Sequence, residues 1–130
     1  MTKKKILIIE DNEQNLYLTT FLLEKQGFDV VQARTGLQGL ELAVSQKPDL
    51  ILLDIQLPVM NGYEVAGRLK QDVETRSIPI VSVTSYAMAG DREAILAAGC
   101  EGYIEKPIDP DSFVAQVKSF LPGQERGGVV

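Results

Sequence analysis

"LILLDIQLPVMNGYEVAGRLKQ", Leu50 to Gln71, decides how the chain is read. Four apolar residues run into Asp54, Pro58 interrupts the segment, and Asn61-Gly62 follows as a strong two-residue hairpin signal. A hairpin here would make the sheet antiparallel. The residues beyond it argue otherwise, because Val65 and Leu69 stand four apart and nothing alternates, which is helical spacing. Strand, loop and helix in succession are half of a parallel crossover unit. The same stretch raises a second question. An unpaired buried carboxylate costs several kcal/mol and is normally avoided, shifted in pKa or given a cation, yet Asp54 ends an apolar run.

Working outward, the pattern repeats. Lys5–Ile9, Asp29–Ala33, Asp49–Asp54, Pro79–Val83 and Gly102–Lys106 read as short strands, and the continuous apolar runs of the first and third suit strands buried on both faces of a parallel sheet. Between them lie helical spacings. Leu37, Leu40 and Val44 fall on one predicted face, and Phe113, Val117, Phe120 and Leu121 on another. Thr35 with Gln38 resembles a capping box, Asn12 suits an N-cap followed by Glu13, and Gly27 and Gly99 sit where helices should stop. Met88 and the alanines around it read as small packing residues, and Cys100 as a small buried hydrophobe. Five βα units without repeats or an internal linker imply one α/β domain over residues 1–121, with "PGQERGGVV" (residues 122–130) as a frayed, flexible tail.

Composition narrows the function. At 130 residues and 45% hydrophobic the chain suits one domain with a single good core. No run approaches the ~18–20 apolar residues that cross a bilayer, and Met-Thr-Lys-Lys-Lys leads into a short strand, so a cytoplasmic protein without membrane insertion is expected. One cysteine and no histidine exclude an internal disulfide, a Cys/His zinc site and histidine-assisted Ser or Cys nucleophiles. A net charge of −5 opposes direct nucleic-acid binding, which needs a basic face.

In doubly wound sheets ligands gather at the carboxyl ends of the strands. Glu10 and Asp11 follow the first strand, Asp54 closes the third, Thr84 follows the fourth and Lys106 ends the fifth, so all converge on one edge. Carboxylates so placed repel unless they share a cation or keep a proton. Mg²⁺ suits few carboxylates, several waters and phosphate oxygens, while Lys106 adds a positive charge and Thr84 a hydroxyl donor. These are the parts of an in-line phosphoryl transfer to a carboxylate. Each has a plainer reading alone: "ED" is often a polar turn, a strand-end threonine is usually structural, a lysine is usually solvated, and Pro107 could simply enter a helix. Their joint placement favours chemistry.

The order "IIED", "LLDIQLPVMNG", "VTSYA" and "YIEKP" resembles the receiver domain of two-component response regulators, the chemotaxis CheY type, over Lys4 to about Leu121. With only a short tail following, the chain looks like a stand-alone receiver, and "MTKKKILIIEDNEQN", "KPDLILLDIQLP" and "AMAGD" resemble the single-domain cell-fate regulators of the DivK kind. The resemblance implies a flavodoxin-like (βα)5 fold with a parallel sheet in the order 2-1-3-4-5. It implies a phosphoacceptor, not an enzyme in the ordinary sense, that assists its own phosphotransfer and autodephosphorylation. Asp54 would take phosphate from a sensor histidine kinase or a histidine phosphotransfer protein. Glu10, Asp11, Asp54 and the backbone carbonyl of Gln56 would hold Mg²⁺, Lys106 would contact the phosphoryl group, Thr84 would hydrogen-bond it, and Tyr103 would be the aromatic that switches. Lys106-Pro107 would be cis, Gln56 and Tyr86 would modulate dephosphorylation, and a downstream protein would bind the face of helix 4, strand 5 and helix 5. Glu10 is longer than the aspartate that often stands at its position in the family.

Three other functions fit parts of the pattern. A phosphorylation-independent interaction module would keep the fold without the chemistry, which the full set of site residues disfavours. Aspartate-nucleophile phosphatases place a second acid two residues after the first, where this chain has Gln56. A flavodoxin-like FMN protein binds phosphate after the first strand, where "EDNEQN" would repel it.

Overall fold

A computed structural model describes residues 3–85 and 87–121. The chain alternates β1 (Lys5–Ile9), α1 (Glu13–Lys25), β2 (Asp29–Ala33), α2 (Gly36–Gln46), β3 (Leu50–Asp54), α3 (Gly62–Gln71), β4 (Ile80–Thr84), α4 (Ala89–Ala97), β5 (Gly102–Glu105) and α5 (Phe113–Phe120). All paired strands are parallel, in the order β2-β1-β3-β4-β5. The helix expected after Asn61 is present and the hairpin is not: Asn61 Oδ1 accepts from the Glu64 amide at 3.0 Å and so caps α3.

Strand ends differ from the sequence reading by one residue, for local reasons. Asp49 stays outside β3 because its carboxylate accepts the Lys5 amide at 2.8 Å, clamping the start of β1. Lys106 lies just past β5, although its amide still donates to the Thr84 carbonyl at 2.8 Å. The expected helix stops at Gly27 and Gly99 both have positive φ, +90° and +104°, a conformation that glycine adopts without the usual Cβ penalty.

Alternation along the buried strands divides the core. Leu7, Ile9, Ile51 and Leu53 pack with Val65 and Leu69 of α3 and Ile95 of α4, while Ile6, Ile8, Leu50 and Leu52 pack on the other face with Leu16 and Leu23 of α1 and Phe113 and Val117 of α5. Each such side chain contributes roughly 1.5–3 kcal/mol by leaving water. Among the described residues no helix is long and apolar enough to cross a membrane.

Two packing expectations are corrected. In α2, Leu37 and Val44 are exposed, and the buried positions are Gly36, against Val65 of α3, Gly39, against Ile9 of β1, and Ala43. The reason is clearance, since a Cβ on Gly39 would lie 2.4 Å from Ile9 Cδ1. Met88 is exposed and so are Ala89, Ala94 and Ala97, Ile95 being the buried residue of α4, whereas Ala87 is half-buried and Ala98 packs against the core as expected. Cys100 is buried as expected, and burial pushes its thiol up to about 11.

Candidate functional site

The strands deliver their terminal residues to one edge. Asp54 at the end of β3 and Glu10 just after β1 are buried, Thr84 at the end of β4 is fully enclosed, and Asp11 is exposed. Glu10 is held by its own backbone, whose amide donates to the Ala33 carbonyl at 2.9 Å. Its Oε2 accepts from the Asn12 amide at 3.2 Å, just before Asn12 Oδ1 accepts from the Asn15 amide at 2.9 Å to cap α1. The expected cap is therefore tied to the acidic pair.

Lys106 supplies the cation that the apolar setting of Asp54 demands. Its Nζ lies 3.0 Å from Glu10 Oε1 and 3.3 Å from Asp54 Oδ2, with only 12% of the lysine side chain exposed. The other Asp54 oxygen, Oδ1, accepts from the Gln56 amide at 2.9 Å. Glu10 nevertheless has its carboxyl raised from 4.5 to about 7, first by burial, then by the hydrogen bond and charge of Asp54, with Lys106 pulling the other way. One lysine does not offset both acids. Glu10, Asp11 and Asp54 each bring a carboxylate oxygen within 4.8 Å of the others, an all-oxygen donor set that fits a hard divalent cation.

The remaining residues from the sequence reading fall as follows. Gln56 is exposed beside Asp54. The Lys106-Pro107 bond is cis. Tyr103 is half-buried in β5, outside the carboxylate cluster, in register with Ser82 of β4. Tyr86 lies outside the described residues, as do residues 122–130. A cavity of about 520 Å³ between α2 and α3, lined by Leu40, Arg68 and Thr75 among others, contains none of the site residues.

Sequence reasoning missed one supporting residue. A Cβ on Gly62 would lie 2.5 Å from Ile55 Cα and 2.7 Å from the Asp54 carbonyl oxygen, and the Gly62 amide donates to the Ile55 carbonyl at 2.9 Å. The start of α3 thus rests directly on the backbone that carries Asp54, and only glycine permits that approach. The dipeptide Asn61-Gly62 was the available signal, but it reads equally well as a turn.

A parallel 2-1-3-4-5 sheet with helices on both faces and an acidic edge at the strand ends defines a CheY-like α/β fold. The chain belongs to the response regulator receiver domain family, whose description matches residues 6–118. It is similar to the polar-differentiation response regulator DivK of Brucella anthropi and to that of Brucella ovis, each 48% identical over 118 residues, which are 91% of this chain and 96% of the relative. The receiver domain of sensor histidine kinase PA1611 from Pseudomonas aeruginosa, solved with a magnesium ion coordinated in its active-site cleft, is 31% identical with a TM-score of 0.83, over 92% of this chain and 98% of that one. The chemotaxis protein CheY4 of Vibrio cholerae shares the fold at a TM-score of 0.88 and 23% identity, over 92% of this chain and 100% of that one.

Proposed function

We propose that Asp54 accepts a phosphoryl group from a phosphohistidine on a sensor histidine kinase or histidine phosphotransfer protein. One observation carries this reading: Lys106 Nζ lies within 3.3 Å of both Glu10 and Asp54 at a sheet edge that is otherwise acidic. An oxygen of Asp54 attacks phosphorus in line as the phosphorus–nitrogen bond to imidazole breaks. Lys106 then exchanges part of its contact with Asp54 for a phosphoryl oxygen, and the Thr84 hydroxyl donates to another. The Gln56 amide, 2.9 Å from Asp54 Oδ1, orients the carboxylate. Glu10, Asp11, Asp54 and the Gln56 carbonyl would hold Mg²⁺, which when bound supplies neutralisation of the charge on the transferring group.

The phosphoryl group later leaves to water, at a rate that Gln56, exposed beside Asp54, and Tyr86 modulate. The receiver unit is residues 1–121, and its output is a contact between the α4-β5-α5 face and a downstream protein, governed by Thr84 and Tyr103. The chain acts in the cytoplasm without direct contact to nucleic acid, in keeping with its charge of −5. The test is incubation with acetyl phosphate and Mg²⁺, followed by intact-mass measurement. Wild type should gain one phosphoryl group, and Asp54→Asn or a chelator should abolish the gain. Undiminished labelling of Asp54→Asn would refute the assignment.

A further inference from the structure

Arg92, which no part of the phosphoryl chemistry uses, touches two groups at once. Its Nε donates to the Ala87 carbonyl at 2.8 Å, in the loop that follows Thr84 and Ser85. Its guanidinium carbon lies 5.4 Å from the centre of the Tyr103 ring. The backbone of Arg92 is fixed independently, because its amide donates to the Met88 carbonyl at 3.0 Å and Asp91 Oδ2 accepts from the Met88 amide at 3.3 Å, closing the start of α4. The guanidinium is therefore presented from the hydrogen-bonded first turn of α4 to the Ala87 carbonyl on one side and an aromatic face on the other.

We propose that Arg92 is a latch that holds the Ala87 backbone and the Tyr103 ring in their resting arrangement, so that the strength of this latch sets how readily the phosphoryl signal is transmitted. The proposal rests on the switch role given to Thr84 and Tyr103 above. A ring that turns toward Thr84 leaves the guanidinium, and a loop that follows Thr84 carries the Ala87 carbonyl away from Nε. Both contacts are lost in the same movement and both favour the resting state. A residue that favours one of two states shifts their ratio, and the affinity of any ligand selecting the other state shifts by the same factor. Arg92 is exposed, so its two contacts together are worth about a fivefold change in that ratio, at the modest end for an exposed cation–π pair with one hydrogen bond.

The experiment uses the full chain with ¹³C-labelled tyrosine, the Tyr103 signal assigned through Tyr103→Phe, and beryllium fluoride with Mg²⁺ as the phosphoryl mimic. Arg92→Ala should saturate at the wild-type end position of the Tyr103 signal but at about fivefold lower beryllium fluoride, because more of the free protein is already in the selected state. Arg92→Lys, which keeps the charge but loses Nε and the planar face, should fall between the two. Losing a guanidinium perturbs the nearby ring signal by itself, so the midpoint is the deciding quantity. If wild-type Tyr103 responds and Arg92→Ala has the wild-type midpoint, the latch is overturned and the switch stands. If wild-type Tyr103 does not respond at all, the switch assignment has failed and the latch falls with it.

Discussion

The raised carboxyl of Glu10 makes the stability of the metal-free chain depend on pH in an uncommon direction. Glu10 titrates near 4.5 when unfolded and near 7 when folded, with burial as the leading cause. Between those values the folded chain holds a proton that the unfolded chain has lost, so the contribution is fully present below about 4.5 and disappears as pH rises through 7. At 1.36 kcal/mol per pH unit the whole effect is about 3 kcal/mol, of which about 2 kcal/mol falls between pH 5 and 7.5. Only 5% of the Glu10 side chain is exposed, so solvent screening removes little of it. The chain has no histidine, which leaves this window free of the usual titrating side chain. Urea unfolding in a chelator at pH 5.0, 6.0, 7.0 and 7.5 should show the midpoint falling by about 1 M in total, for a denaturant slope near 2 kcal/mol/M. Glu10→Gln should flatten the profile. A level or rising profile in wild type, or an undiminished fall in Glu10→Gln, would refute the assignment of the slope to this buried acid.

Three further outcomes are expected. Gly62→Ala should lose roughly 1–3 kcal/mol and slow labelling by acetyl phosphate, because the two atoms its Cβ meets first belong to the Asp54–Ile55 backbone, which gives way less easily than a side chain; equal stability and rate by urea unfolding and intact mass would contradict this. Ser82→Ala should stabilise the chain by about 1 kcal/mol in urea, since Ser82 Oγ is buried with no hydrogen-bond partner among the described residues, and a loss of stability would show that the hydroxyl is satisfied. Tyr103→Ala should still take up phosphate yet lose most of the phosphorylation-dependent gain in affinity for a cognate partner, a coupling of ~1–3 kcal/mol that titrations with and without phosphorylation would measure; an unchanged gain would reduce Tyr103 to a packing aromatic.

What the sequence revealed and what it hid follow from the same physics. β1 and β3 were legible because strands covered on both faces leave unbroken apolar runs, and the site was legible because such strands end in charged residues that have no packing reason to be there. Asn12 was readable as a cap because its role is local. The buried side of α2 was not: Leu37 and Val44 dominate any hydrophobic period, whereas Gly39 contributes through clearance over Ile9 and Gly36 through clearance over Val65 and Met60, neighbours that only the fold supplies. Gly62 was masked in a similar way, its turn-like signal hiding contact with Asp54. Arg92 could not be found at all, because its partners Ala87 and Tyr103 flank it along the chain and only the fold brings them to one side chain.

The ion pairs of Lys106 also bear on how the protein is born. Glu10 and Asp54 emerge from the ribosome long before Lys106, which is 96 positions beyond Glu10. The Lys106 amide is anchored on the Thr84 carbonyl, so the lysine reaches the acids only once β5 has docked on β4. A chain halted during synthesis would thus carry the buried acids Glu10 and Asp54 without the ammonium that faces them, and the finished chain alone closes that charge balance.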